Sequence, residues 1–240
     1  LIDGASEERR RFIDGVISQC DKEYLQLLIR YNRVLMQRNS FLKEYAGQSI
    51  DTDMLSVWDE QLADSGRVIL ERRRAFVAEL EEMYYDRVSL GREKVMLEYS
   101  TTIKNDDFLA SLRGSFERDR ILTYTTVGVH RDDLNLSLEG YPVKKLGSQG
   151  QKKSFLTALK LAQFAYLVKQ KGVKPLLLLD DIFDKLDADR VSQIIRIVSS
   201  TDFGQVFVTD TNREHIDEIL KQHAMEYKIF HVEGGEVMNL

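Results

Sequence analysis

Two adjacent carboxylates, Asp180 and Asp181, close a run of four leucines at 176–179, and a glycine-serine loop, Gly147-Ser148-Gln149-Gly150, lies upstream of them. A carboxylate at a strand end can hold Mg²⁺ directly or through water, and a second one beside it can orient or deprotonate an attacking water. The simpler alternative is a pair of aspartates ending a strand in a polar turn, where Asp is favoured anyway. In the loop, Gly147 and Gly150 let the backbone approach a ligand closely. Ser148 is placed to cap the following helix, whose first amides then point at a site suited to phosphate. An ordinary helix start is equally compatible with these four residues. A third polar constellation, His130-Arg131-Asp132-Asp133, has one histidine and no second His or Cys at ligand spacing, which makes it a poor metal site.

The elements that must position these groups follow from the surrounding pattern. The leucine run, bounded by Pro175 and the aspartates, is too short for a helix and reads as a strand buried on both faces of a parallel sheet. In such sheets ligands sit beyond the carboxyl ends of the strands, where Asp180 and Asp181 fall. Between loop and strand, residues 151–171 carry an apolar stripe from Phe155 to Val168 and read as one helix. Lys152 and Lys153 lie in its first turn, where the helix dipole disfavours cations. A bound triphosphate or DNA phosphate would compensate them; a solvated lysine pair is the alternative. Downstream, a helix at 188–200, a strand at 205–209, a helix at 214–223 and a strand at 227–232 predict a parallel α/β arrangement.

The N-terminal part has a different period. Ser6 reads as an N-cap, with Glu7 and Glu8 in the first turn, and apolar residues recur from Ile13 to Tyr45 in three- and four-residue steps, predicting one long helix. Gly47 stops it, and the acids at 51–53 cap a second helix with Leu55, Trp58, Leu62, Ile69, Arg73, Phe76, Leu80 and Met83 on one face. The short link predicts an antiparallel hairpin of coiled-coil type over residues 7–87. Arg73 interrupts the stripe and is expected near an end or snorkelling. The basic runs at 9–11 and at Arg72, Arg73 and Arg74 read either as solvated helix faces or as contacts to a DNA backbone. Beyond Gly91 the pattern predicts a strand at 95–99, a short helix at 106–120, a strand at 121–127, and a hairpin at 134–143 turning at Glu139-Gly140.

Taken together, loop, helix and strand resemble the signature motif and Walker B strand of the ABC-type ATPase heads of SMC-like proteins. The stretches GVHRDDL at 128–134, GSQGQKKSFLTALKLAQ at 147–163, LLLLDDIFDKLDADR at 176–190 and SEERRRFID at 6–14 are similar to the RecF family of bacterial recombination mediators. One departure is Val129, where that family usually has proline. The resemblance implies an α/β fold with a helical hairpin: a partial ABC/SMC-type P-loop ATPase head, with lobe II at 1–172 and the C-terminal part of lobe I at 173–240. It implies that Ser148, Gln149, Gly150 and Gln151 bind, in trans, the γ-phosphate of ATP held by the other protomer of a homodimer. It assigns Mg²⁺ to Asp180, catalysis to Asp181, a D-loop to Asp184, Leu186 and Asp187, and DNA contact to Arg72, Arg73, Arg74, Lys152 and Lys153. For the His130–Asp133 stretch the expectation is a buried Arg–Asp arrangement bracing the nucleotide face. Heads of this kind carry a histidine after the strand at 205–209; here Thr209, Asp210 and Thr211 stand there. The implied partners are DNA at single-strand/double-strand junctions and the proteins RecR, RecO and RecA.

A formal net charge of −5 over 240 residues excludes a protein that coats nucleic acid by charge alone, so any DNA contact needs local basic patches. The single cysteine, Cys20, excludes an intramolecular disulfide and fits a reducing compartment. No apolar run is long enough to span a bilayer, and the reading is of a cytoplasmic protein without membrane contact. The first residue is Leu, and residues 1–6 read as the tail of an earlier element. No Gly-Lys dipeptide occurs, hence no G-x-x-x-x-G-K-[ST] phosphate loop. In the RecF family that loop lies ahead of the first residue here, so this chain is expected not to hydrolyse ATP alone. Two other readings stand beside this one: a different SMC-like DNA-repair ATPase, and a non-enzymatic interaction module in which the carboxylates are structural.

Overall fold

The computed structural model describes residues 1–48, 50–88, 94–180, 188–200, 203–209 and 227–239; of 85–88, 188 and 239 it describes the backbone alone. The chain divides into two compact units, Leu1–Val173 and Lys174–Leu240.

In the first unit the long N-terminal stripe forms two helices, α1 (Ser6–Cys20) and α2 (Lys22–Glu44), rather than one. The break is at Asp21, whose backbone is extended and whose carboxylate accepts the Tyr24 amide at 2.9 Å, so this residue caps α2 and cannot also continue α1. Ser6 is the first helical residue, and Ala5 holds the cap position without a side-chain bond. The hairpin is therefore α2 against α3 (Thr52–Val88), with Asp51 turning the chain into α3 by accepting the Asp53 amide at 3.0 Å. The expected α3 face is inside: Leu55, Leu62, Ile69, Arg73, Phe76, Leu80 and Met83 are buried, and Trp58 is half-buried.

After α3, β1 (Val95–Ser100) precedes α4 (Phe108–Gly114) and α5 (Phe116–Leu122), two helices where one was expected, parted at Ser115. Residues 121–127 are not a strand. Ile121 and Leu122 finish α5, Thr123 is left-handed, and the chain runs irregularly to a 3₁₀ turn at Val129–Arg131. β2 (Asp133–Leu138) pairs antiparallel with β1, with Leu97 opposite Leu136 and Tyr99 opposite Leu134. β3 (Tyr141–Pro142) adds two residues, and Val143 already begins α6 (Val143–Leu146). α7 (Gln149–Lys171) packs on α3 through Phe76–Tyr166 and Tyr84–Phe155 ring contacts, with centroids 4.9 and 5.9 Å apart. No described helix is long and apolar enough to cross a membrane.

In the second unit, β4 (Leu177–Asp180) pairs in parallel with β5 (Val206–Thr209), and α8 (Ala188–Val198) buries Val191, Ile194, Ile195 and Val198. The leucine strand is not buried on both faces. Leu179 is inside, while Leu176 and Leu178 are 63% and 70% exposed, because among the described residues no layer covers that side. Residues 227–239 form an antiparallel hairpin, β6 (Phe230–Glu233) with β7 (Glu236–Asn239), so the parallel pattern holds for β4 and β5. The expected helix at 214–223 lies outside the described residues.

Candidate functional site

The glycine loop is held by a reciprocal cap. Ser148 Oγ accepts the Gln151 amide at 3.2 Å, and Gln151 Oε1 accepts the Ser148 amide at 2.9 Å. This cap satisfies two backbone donors, while the first-turn amides of Gln149 and Gly150 have no carbonyl partner within a helix. They stand at the positive end of 23 residues of helix. Ser148 and Gln149 are exposed. Gly147 is required by close approach: a Cβ there would lie 2.7 Å from the Val143 carbonyl oxygen, to which its own amide donates at 3.0 Å. Beside the loop lies a small cavity of about 230 Å³ walled by Leu138, Tyr141, Val143, Leu146, Gly147 and Gln151. Lys152, whose charge the dipole disfavours, donates to Asp3 Oδ1 at 2.6 Å, so the compensating anion is a carboxylate of this chain. That bond holds the exposed Asp3 carboxyl below its usual range. Lys153 lies beside it on the same turn.

At the carboxyl end of β4, Asp180 is exposed and accepts a hydrogen bond from the hydroxyl of Thr209, its register partner on β5. Thr209, which ends the 205–209 strand, is thus bonded to the strand-end carboxylate. A carboxylate and a hydroxyl at an open strand end are hard oxygen donors that fit Mg²⁺, which is commonly held by one or two carboxylates plus substrate phosphates. Among the described residues no group of three His, Cys, Asp or Glu side chains converges on a metal position. Asp181, Asp184, Leu186, Asp187, Asp210 and Thr211 lie outside the described residues.

The basic runs prove largely structural. Arg73 is 2% exposed at mid-helix, neither at an end nor snorkelling. Its Nε and Nη2 donate to the two oxygens of Asp14 at 2.8 and 2.9 Å, and Nη1 donates to the Val129 carbonyl at 2.7 Å. A guanidinium so enclosed cannot reach a DNA backbone, and Arg73 is withdrawn as a DNA contact. Arg72 and Arg74 are half exposed, near Asp21 at 3.5 Å and Asp106 at 2.8 Å. Arg9 forks onto Asp133 at 2.6 and 2.9 Å, and Arg10 donates to the Asp132 carbonyl at 2.6 Å. Burial works against the Asp133 carboxylate, but Arg9 outweighs it and keeps its pKa below the usual value.

The His130–Asp133 stretch takes part in an Arg–Asp pair whose arginine is Arg9 of α1 rather than the exposed Arg131, and the pair ties α1 to β2 instead of forming a buried brace within the stretch. Asp132 accepts from Tyr99 Oη at 2.7 Å, and its burial raises its pKa. Gly128 is needed here: φ is +133°, and a Cβ would meet Tyr31 Oη at 2.4 Å. Sequence reasoning missed a second buried centre. Arg38 donates through Nε to Asp59 at 2.7 Å and through Nη1 to Asp119 at 2.7 Å and Thr125 Oγ1 at 2.9 Å. The available signal was a charged residue on each apolar stripe: Arg38 is four residues after Val34 and four before Leu42, and Asp59 is four after Leu55.

His130 Nδ1 accepts a hydrogen bond from the Tyr31 hydroxyl at 2.9 Å, and Nε2 donates to the Thr125 carbonyl at 3.0 Å. Burial lowers its pKa from 6.5 to about 4. A histidine depressed in the folded state contributes stability above its unfolded pKa and loses it as pH falls from 6.5 toward 4. Between about pH 7.5 and 5 this group is expected to cost about 2 kcal/mol of unfolding free energy, measured by urea titration. Asp59 and Asp132, both raised by burial, oppose the loss at the acid end. The diagnostic comparison is therefore His130→Gln, whose stability should fall less over the same interval; an unchanged slope would refute the assignment.

No family model matches the chain. It is 49% identical over 240 residues to the DNA replication and repair protein RecF of Bacteroides fragilis (strain YCH46), covering 99% of this chain and 64% of that protein. Among solved structures it superposes with TM-score 0.79 and 29% identity on the recombination mediator protein RecF with ATP in the RecFOR pathway, over 100% of this chain and 64% of that one. With TM-score 0.50 and 15% identity it shares the fold of the Smc head domain of Pyrococcus furiosus, over 100% of this chain and 58% of that one. The fold is thus that of part of an ABC/SMC-type ATPase head.

Proposed function

The chain belongs to the RecF family, and from that premise we propose that it supplies the trans-acting and hydrolytic halves of an ATP site in a DNA repair and recombination protein. The observation that carries this is the joint presence of a capped glycine loop with free first-turn amides and an exposed strand-end carboxylate, in a chain that has no phosphate loop. Ser148, Gln149, Gly150 and Gln151 form the loop that receives the γ-phosphate of ATP held by a second protomer, through the Gln149 and Gly150 amides and the α7 dipole, while Ser148 and Gln151 hold the cap. Asp180 holds Mg²⁺ directly or through water, with Thr209 fixing its orientation. A Mg²⁺ ion held there would supply neutralisation of phosphate charge, and Asp181 orients or deprotonates the attacking water. Asp184, Leu186 and Asp187 form the D-loop at the protomer interface. ATP-dependent dimerisation couples to DNA binding at single-strand/double-strand junctions, with RecR, RecO and RecA as partners in the cytoplasm. Arg72, Arg74, Lys152 and Lys153 are the DNA candidates. Arg72, Arg74 and Lys152 must leave an internal carboxylate to bind phosphate.

The test is ATP turnover by this chain, alone and mixed with a separately expressed N-terminal lobe carrying a phosphate loop. No turnover alone, and Mg²⁺-dependent turnover on mixing that falls about 100-fold or more in Asp181→Asn, is the expected result. Clear turnover by the chain alone would sink the reading. Turnover on mixing that ignores Asp181→Asn would mean the carboxylates are structural, as in an interaction module.

A further inference from the structure

The most exposed large apolar side chain among the described residues is Ile121, at 73%, and it does not stand alone. Leu122 and Tyr124 are partly open, at 38% and 37%, and all three lie within four residues at the end of α5. Aliphatic side chains left bare at one spot, beside an aromatic ring, are the composition of a contact surface rather than of an ordinary solvated helix end. Nothing in the nucleotide reading uses them.

The patch is also built to hold its shape. Asp119, on the inner face of α5, is fully buried and accepts from the Thr126 amide at 2.9 Å and hydroxyl at 2.6 Å. Thr125 donates its amide and hydroxyl to Asn39 Oδ1 at 2.8 and 2.7 Å. Its carbonyl accepts from His130 Nε2 at 3.0 Å and from Nε and Nη2 of Arg131, both at 3.2 Å. So anchored, the Arg131 guanidinium lies 4.7 Å from the Tyr124 ring centroid. Ring and guanidinium are thereby fixed before any partner arrives, which lowers the ordering cost of binding.

Charge identifies the partner. Arg118, one turn before Ile121 and Leu122, is exposed on the same short helix, and Arg131 is exposed over Tyr124. Glu117 is occupied by Arg120 at 2.9 Å, and Asp119 faces inward, so the outer face is positive on a chain whose formal net charge is −5. Two arginines alone would suit a nucleic acid, but Ile121 and Leu122 offer nothing to a phosphate backbone and everything to apolar side chains. We propose that the α5 end and the Tyr124–Arg131 pair form a docking surface for an acidic segment of a partner protein carrying apolar anchor residues.

The test selects binders to the full chain from a phage-displayed random peptide library and measures the winners by fluorescence polarisation. Expected are acidic sequences with aliphatic or aromatic anchors, whose affinity falls about tenfold or more in Ile121→Glu and in Arg118→Glu, as loss of a central anchor or a charge partner does. Both residues are exposed, and an unchanged urea midpoint for each variant confirms folding. Displacement of the peptides by oligo(dT) would assign the surface to nucleic acid. Self-association of the chain lost in Ile121→Glu would assign it to a second copy. Either of these, or selected peptides that are basic or indifferent to both variants, or no binders at all, overturns the proposal.

Discussion

Substituting methionine for Arg38 or for Arg73 is expected to destabilise the first unit by about 3–5 kcal/mol in each case, because the first change strands the buried Asp59 and Asp119, and the second strands the half-buried Asp14 and removes the charge that faces the buried Asp132. Arg38 is 0% exposed between Asp59 and Asp119, which are themselves buried. Burial already raises the Asp59 pKa with the guanidinium present. Arg73 holds Asp14 by two bonds and links α1, α3 and the Val129 turn. The cost is the penalty of the orphaned acids rather than the net worth of the ion pairs, which folding offsets against desolvation. Lysine at either site keeps the charge but loses the planar fork and should recover part of the loss. Arg74→Ala, by contrast, removes an exposed pair with Asp106 and should stay within about 0.5 kcal/mol. The measurement is urea unfolding followed by fluorescence of Trp58, the single tryptophan, which packs 5.0 Å from Phe41 beside Asp59. A loss below about 1 kcal/mol for Arg38→Met would mean that the carboxylates reach water, and the cluster would not be a structural centre.

These arginines also mark where sequence reading stops. The hairpin was legible because burying an apolar stripe is a local, periodic requirement, and the buried residues of α2 and α3 follow it. What decides whether a charge on that stripe is tolerated is a partner far along the chain: Asp119 is 81 residues from Arg38, and Asp14 is 59 from Arg73. No period encodes such a pairing, so Arg73 read as a surface flaw. The same limit explains residues 121–127. Their β-branched composition favours a strand, but Asn39 and Asp119 take the Thr125 and Thr126 amides, and His130 and Arg131 the Thr125 carbonyl, that a ladder would need. Asp21 likewise sits on a pattern that runs through it, and its capping bond breaks the helix. The capped loop at Ser148 was readable because its chemistry is local: cap, glycine and helix are consecutive. Whether the Leu176 and Leu178 face is covered depends on layers that a strand's own residues do not specify.

Two inactive variants of the full-length protein are expected to restore each other when mixed, which is the sharpest consequence of a site shared across a protomer boundary. Ser148→Arg destroys the cap and, on the proposed reading, places a bulky side chain where the γ-phosphate approaches the Gln149 and Gly150 amides. Asp181→Asn leaves that loop intact but removes the carboxylate at the other half of the site. On the proposed reading, each ATP of a two-fold dimer meets the carboxylates of its own protomer and the loop of the partner, so either variant alone spoils both sites. In a mixed dimer, one site combines the intact carboxylates of the first variant with the intact loop of the second. Random exchange makes half the dimers mixed, each with one good site of two, so turnover should return to about one quarter of the wild-type rate. The loop variant should still bind ATP, since its own pocket is untouched, which separates failure to hydrolyse from failure to bind. Steady-state phosphate release from an equimolar mixture reads the result. No recovery on mixing, with exchange verified by a fluorescence-energy-transfer pair, would place both halves of the site on one protomer and dismiss the trans role of Ser148.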